Sequence, residues 1–323
     1  MKLRRRQFLH LATTAAAFSA VPCAARADTY PSRPVRLIVG LPPGNSPDIV
    51  ARLVGQWLSE RLGQAFIVDN RPGAATNIGT EAVAHAAPDG YTLLLVTAGN
   101  AANAAIFKNL NYDFSRDIVP VASIGGVPFV MVVNPALPAN TVPEFIAYAK
   151  ANPGKIDMAS SGNGSLLQLL GVLFQMMAGV ELFHVPYRGS LFPDLLGGQV
   201  QVAFNPVPAV LGYIKAGKLR ALGVSTRQRV PVLPDVPSLS EFLPRYEANG
   251  WLGLGAPKGT PADVVGTLNT AVNAGLADPA LAARLTDLGA IVMPMTPAAF
   301  ATFVVAETAK WAEVVKFADI KAE

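Results

Sequence analysis

VRLIVGLPPGNSPDIVARLVGQWL, residues Val35 to Leu58, sets the reading of the whole chain. An apolar, strand-like run (Val35 to Val39) breaks into a Pro/Gly/Asn loop and resumes with helical spacing. Strand, tight loop and helix N-terminus together make a geometry that holds anions. Ser46 suits an N-cap, Pro47 the first helical position, and Asp48 the positive helix end. Ile49, Val50, Leu53, Val54, Trp57 and Leu58 then form an apolar stripe, and Gly63 is a natural stop. Pro42 and Pro43 stiffen the loop, Gly44 lets backbone amides approach a ligand, and Asn45 and Ser46 add side-chain donors. The loop lacks both the frame and the lysine of a Walker motif, and it lacks three spaced glycines for a dinucleotide. Asp48 would repel a dianionic phosphate, so a carboxylate held by amides and hydroxyls suits it better. Taken alone, the segment reads more readily as a plain capped turn.

A second stretch repeats the layout. IDMASSGNGSLLQLLGVLF runs from a strand through Ser160, Ser161, Gly162, Asn163, Gly164 and Ser165 into a helix whose Leu166, Leu169, Leu170 and Leu173 face one way. Small and hydroxyl residues at a helix start supply several donors without a charge. A third strand end, LLLVTAGNAAN, offers Thr97, Ala98, Gly99 and Asn100. Three such loops at strand carboxyl ends would converge on a crevice of an open α/β sheet. One loop in each half is what clamping both ends of a small dicarboxylate requires.

Outward from these loops, β-rich runs alternate with amphipathic helical stretches, which predicts an α/β fold. Strands are expected at VRLIV, AFIVDN, YTLLLV, VPFVMVV, IDMAS, LFHVPY, VQVAF and LRALGV. Helices are expected over 48–62, 77–86, 142–151, 166–177, 192–196, 207–216, 261–276, 279–288 and 297–317. VASIGGVPFVMVVNP near residue 125 and NGWLGLGAPKGTP near 250 read as two crossings between lobes, or as two ordinary core strands. Two crossings divide the chain into a discontinuous lobe, 28–125 plus 250–323, and a continuous one, 126–249. Lobes joined in this way close on ligands.

MKLRRRQFLHLATTAAAFSAVPCAARA, residues 1–27, reads as an export leader: basic start, apolar centre, small-residue end at Ala27. Arg5 and Arg6 ahead of Phe8 and Leu9 match the twin-arginine pattern. Its loss removes Lys2, Arg4, Arg5, Arg6 and Arg26 and takes the net charge from +4 to −1. The high isoelectric point is thus largely the leader's, and a nucleic-acid partner loses its support. Cys23 is the chain's only cysteine, so cleavage leaves no thiol or disulfide. No later run is long and apolar enough to span a bilayer. Two histidines remain, His85 and His184, with no ligand cluster for a metal. No G-x-S-x-G elbow occurs, and SGNGS has no base partner, so no catalytic residue is assigned. His184 reads as a satisfied strand residue and His85 as a helix-end residue. Trp57 and Trp311 read as packing residues, and Trp251 as the tryptophan able to line a cleft.

A family resemblance enters on particular segments. YPSRPVRLIVGLPPG, DIVARLVGQWLSERLGQ, DNRPGAATNIGTEAVAHAAPDGYTLL, NLNYDFSRDIVPVA, AKANPGKI, SSGNGS, HVPYRGS, DLLGGQV, IKAGKLRALGV, LPDVPS, GAPKGTP and KWAEVVKFADIKAE together resemble the Bug family of extracytoplasmic solute receptors. These serve tripartite tricarboxylate transporters. The resemblance implies a type II periplasmic-binding-protein fold, two α/β lobes joined by two crossover strands. It implies a periplasmic monomer without cofactor, a small carboxylate ligand and membrane permease subunits as partners. Site positions carried over are Pro42, Pro43, Gly44 and Asp48, then Thr97, then Ser160 to Ser165, with Tyr187 and Gly189 as a further wall.

Departures from the family pattern mark this chain's own features. Asn45 and Pro47 stand where a Gly and a Thr are usual. Leu167 and Gln168 replace a Gln-His pair, YRGSLFPDLLGG is shorter by about two residues, and Asn205 replaces a common Asp. A neutral Asn205 removes one carboxylate repulsion and one ammonium partner, which argues against amino-acid ligands. The alternatives are a carboxylate sensor feeding a signalling partner and an enzyme on the same scaffold.

Overall fold

The computed structural model describes residues 30–321, so the leader reading lies outside the described residues. Eleven strands are described: β1 (Val35–Val39), β2 (Phe66–Asn70), β3 (Thr92–Thr97), β4 (Ile118–Val127), β5 (Phe129–Val133), β6 (Asp157–Ser160), β7 (Phe183–Pro186), β8 (Val202–Pro206), β9 (Arg220–Val224), β10 (Gly250–Pro257) and β11 (Ile291–Val292). The α-helices are α1 (Ser46–Leu62), α2 (Asn77–Ala84), α3 (Ala98–Ile106), α4 (Phe114–Asp117), α5 (Val142–Ala151), α6 (Leu166–Ala178), α7 (Phe192–Gly197), α8 (Val207–Lys215), α9 (Ala262–Ala277), α10 (Pro279–Asp287) and α11 (Pro297–Phe317).

The strands build two sheets. One has the order β11-β4-β10-β3-β1-β2 and the other β7-β6-β8-β5-β9. In the first, β1 is parallel to β2 and β3, while β10 runs antiparallel to β3 and β4. In the second, β6 is parallel to β7 and β8, while β5 runs antiparallel to β8 and β9. β1 shows why the pattern was readable. Val35, Leu37, Ile38 and Val39 are all buried and only Arg36 is exposed, the nearly continuous apolar run of a strand covered on both faces. Each such side chain contributes about 1.5–3 kcal/mol of burial.

The chain changes sheets at Pro128, between β4 and β5, and returns between Ala248 and Gly250. Ser225, fully buried, ties these crossings together. Its hydroxyl accepts from the Phe129 amide at 3.0 Å and donates to Asn249 Oδ1 at 3.2 Å. The C-terminal helix α11 packs against α3 under the first sheet and α6 under the second.

Trp251 differs from expectation. It is 1% exposed and packs edge-on against Phe300 and Phe303, with ring centroids 6.0 and 5.5 Å away. Its Nε1 donates to Glu307 Oε2 at 2.9 Å, and the Trp311 indole donates to the same oxygen at 3.1 Å. A buried carboxylate needs donors, and Lys310 completes the set through Oε1. Trp251 therefore anchors the returning crossover to α11 and lines no cleft. Trp57 ties α1 to α9 by donating to Ala271 O.

The Ala98–Ile106 helix was also not anticipated. AGNAANAAI has no large apolar stripe, and small residues let the helix lie close to its neighbours. Helix α2 ends at Ala84, two residues earlier than expected, with His85 as its exposed cap residue.

Candidate functional site

Strand register places the loops. Thr97, the last residue of β3, pairs with Leu252 near the start of β10. In the second sheet Asn205 pairs with Val130, next to the outgoing crossover. The carboxyl ends of the parallel strands in both sheets therefore lie on the crossover side. There the two lobes touch: a Cβ built on Gly164 would sit 3.3 Å from Ile106 Cδ1, at the end of α3.

The first-sheet loop is held from inside. Asp48 is 2% exposed, and its carboxylate accepts from the Gly44 amide (2.9 Å), Asn70 Nδ2 (2.9 Å) and the Arg52 fork (3.0 Å each). Burial pushes its pKa up, but the Arg52, Gly44 and Asn70 donors outweigh this and hold the carboxyl below its ordinary value. The N-cap is Asn45, not Ser46: Asn45 Oδ1 accepts from the Asp48 amide at 3.0 Å, so Ser46 and Pro47 are already helical. Gly44 has φ +85°, a conformation glycine adopts without strain. Pro42, Pro43 and Ser46 are exposed on the loop's outer side.

The second-sheet loop is held by neutral groups. Ser160 is fully buried, and its hydroxyl lies 2.6 Å from His184 Nε2 and 3.1 Å from the Gly162 carbonyl. Gly162 N donates back to Ser160 Oγ. Gln168 Oε1 accepts from the Gly164 amide at 2.7 Å, while its Nε2 lies 3.1 Å from His184 Nδ1. Ser165 caps α6 by accepting from the Gln168 amide. Ser161 and Asn163 are exposed at the loop tip. His184 is thus the satisfied strand residue the sequence suggested, and burial lowers its pKa.

Thr97 and Ala98 enter this site differently. Asn100 Oδ1 accepts from both the Thr97 amide (2.7 Å) and hydroxyl (2.9 Å), and Ala98 is buried at the first turn of α3. Tyr187, expected as a further wall, donates its hydroxyl to Asp194 at 2.6 Å. Burial and that carboxylate push its pKa up to about 12. Asn205 is 3% exposed, and its Nδ2 has no acceptor among the described residues, a buried donor that protein interiors rarely leave unpaired.

Sequence reasoning missed one segment, RPGAAT, at the carboxyl end of β2. Ala74, Ala75 and Thr76 all have positive φ, at 44°, 51° and 83°. Each costs about 1–2 kcal/mol for a residue with a Cβ. Asn103 Nδ2 on α3 donates to Ala75 O, Thr80 Oγ1 to Thr76 O and Asn100 Nδ2 to Thr76 Oγ1. Gly40 admits the segment, since a Cβ there would meet Thr76 Cβ at 2.7 Å. Pro-Gly signals a turn, but nothing in the sequence signals left-handed alanines. Such strain clusters at binding sites.

Chemically, the arrangement offers neutral donors at two helix starts, and Arg188, next to Tyr187 in sequence, is an exposed cation. Two surface grooves lie elsewhere, one between α1 and α9 (about 520 Å³) and one near Asn134 and Gln201 (about 300 Å³). Neither is lined by the loops above. No helix among the described residues is long and apolar enough to cross a membrane.

Comparison with known proteins gives concordant results. The sequence profile of the tripartite tricarboxylate transporter family receptors matches residues 50–320. Protein BugT of Bordetella pertussis is 39% identical over 295 residues, covering 90% of each chain. An R. palustris protein solved with adipate is 37% identical, with a TM-score of 0.75 over 91% of this chain and all of that one. MatC of Rhodopseudomonas palustris, solved with bound malate, is 33% identical, with a TM-score of 0.72 over 88% of this chain and all of the other.

Proposed function

The chain belongs to the tripartite tricarboxylate transporter receptor family, and from that premise we propose that it captures a small organic carboxylate between its lobes and delivers it to the transporter's permease subunits. The lobes in this reading are 28–125 with 250–323, and 126–249, working in the periplasm after the leader is removed. The observation that carries the reading is the pair of neutral, donor-lined helix starts, one per sheet, on the crossover side of both. Pro43, Asn45 and Ser46 form one jaw and Ser161, Asn163 and Ser165 the other, with Tyr187 and Asn205 between them. Adipate and malate on two relatives make dicarboxylates the first class to test, ahead of tricarboxylates and aromatic acids. The same jaws bind without turning the ligand over, as befits a receptor family.

Mass spectrometry of the small molecule that survives gentle purification tests this directly. Thermal unfolding of stripped protein with adipate, malate, citrate and benzoate follows, since a ligand of the native state raises the midpoint by mass action. A carboxylate should be recovered or give a shift; absence of both at millimolar concentration would overturn the reading.

A further inference from the structure

Behind the second-sheet loop, the hydrogen bonds around His184 fix where its proton sits. Gln168 Oε1 accepts from the Gly164 amide, which turns the Gln168 NH2 group toward His184 Nδ1. An amide nitrogen only donates, so Nδ1 carries the lone pair and Nε2 the proton. Nε2–H then donates to Ser160 Oγ, and the Ser160 hydroxyl is free to donate to the Gly162 carbonyl. Each link of the chain Gly164, Gln168, His184, Ser160, Gly162 thus sets a donor against an acceptor. Gln168 and Ser160 are buried, so no water replaces a lost partner cheaply.

We propose that His184 is a positioning residue for the ligand loop: with its proton on Nε2 it holds Gly162 and Gly164 in their binding shape, and protonation at Nδ1 releases Gly164. This rests on the reading that this loop is a jaw of the carboxylate site. A charged imidazole presents Nδ1–H to the Gln168 NH2 group, two donors face to face. Turning the Gln168 amide over satisfies His184 but sets NH2 against the Gly164 N–H. One of the two contacts must break, and the exposed loop is the part able to move.

The surroundings offer no competing charge. Helix α6 carries no titratable residue, and β6 contributes only Asp157, which forms no ion pair among the described residues. Beyond β7, Tyr187 is engaged with Asp194, and Arg188 is exposed. Burial alone lowers the His184 pKa from its ordinary 6.5. The neutral form therefore holds the loop at neutral pH, and the hold is lost as pH falls through the folded-state value.

Nuclear magnetic resonance of the ligand-free protein tests positioning without any ligand, with His85→Asn identifying the exposed imidazole. His184 should be protonated on Nε2 when neutral. The Gly164 amide should shift with the His184 midpoint and lose about tenfold in exchange protection as His184 charges, the worth of one hydrogen bond. Gln168→Met should break that coupling while His184 still titrates, and Gln168→Glu should raise the His184 midpoint and keep Gly164 protected in acid. A neutral Nδ1–H tautomer, or a Gly164 amide indifferent to His184, overturns the proposal. Adipate calorimetry on both sides of the midpoint gives the functional arm: wild type should weaken more than Gln168→Met, which shares adipate's own titration. Equal weakening of the two also overturns it. Failure of adipate and the other acids to bind at either pH, with the Gly164 coupling intact, refutes the carboxylate reading and leaves the positioning role standing.

Discussion

Asp48→Ala is the sharpest test of how the first jaw is held. The deleted carboxylate accepts four hydrogen bonds, and bonds to an ionised acceptor contribute about 1.5–3 kcal/mol each when the donor has no other partner. Three discounts apply. Arg52 is 52% exposed, so its pair adds at most about 1 kcal/mol. Asn70 Nδ2 keeps a second acceptor in Leu41 O. Gly44 lies on an exposed loop and can turn to water if the loop moves. The expected loss is therefore about 2–3 kcal/mol at pH 7, read as a fall in urea midpoint with unchanged slope. The pH dependence has a definite sign. A carboxyl held below its unfolded value of about 3.9 stabilises fully above that pH and loses the contribution as pH falls through the folded value. The gap between wild type and variant should thus close in acid. A loss under about 0.5 kcal/mol at pH 7, or a gap that widens toward acid, would refute the account.

Other substitutions separate strain, charge and anchoring. Gly164→Ala should cost about 1–2 kcal/mol, because φ is +73° and the new Cβ meets only the flexible end of Ile106. Gly44→Ala, at φ +85° with open space around it, should cost about the same by urea unfolding, and a much larger loss there would mean the loop packs differently. Asn205→Asp should weaken dicarboxylate binding about tenfold at pH 7 by calorimetry, since it buries a second negative charge by the jaws; unchanged affinity would remove Asn205 from the site. Glu307→Leu should lower stability by about 2–4 kcal/mol in thermal unfolding, as two buried indole N–H groups lose their acceptor and Lys310 keeps only the Glu247 carbonyl. A neutral effect would show that the crossover needs no such anchor.

Much of the fold was legible because periodicity carries burial. The buried parallel strands announced themselves as apolar runs, while the Gly-containing stretches near 125 and 250 read equally as crossings or as core strands, because either use places extended backbone between helical blocks. Helix α3 was not legible, because alanine and asparagine give no apolar stripe and Thr97 reads as a loop residue until Asn100 is seen capping it. Asn45 and Ser46 are both good caps, and only the reach of Asn45 Oδ1 to the Asp48 amide decides between them. The left-handed Ala74–Thr76 run is set by Asn100, Asn103 and Thr80, which lie on other elements; no local sequence rule encodes it. Trp251 looked like a cleft residue because its acceptor, Glu307, is 56 residues away.

The two jaws reach the same end by opposite electrostatics. Gly44 is fixed by an ionised carboxylate whose charge is consumed by Arg52 and Asn70, and Gly164 by a neutral amide backed by an imidazole. In both, the glycine amide points inward to its support, and the exposed hydroxyls of Ser46 and Ser161 point out of the fold. In the proposed site the loops would meet a ligand with neutral donors in a preset shape, and that shape is stored in buried side chains. Preset donors bind without first being ordered, which is where rigid sites gain affinity. In the proposed reading, selectivity would reside as much in Asp48, Gln168 and His184, which support the loops from behind, as in the residues at the loop tips. Family members with the same tips and different supports would hold the same donors at different spacings.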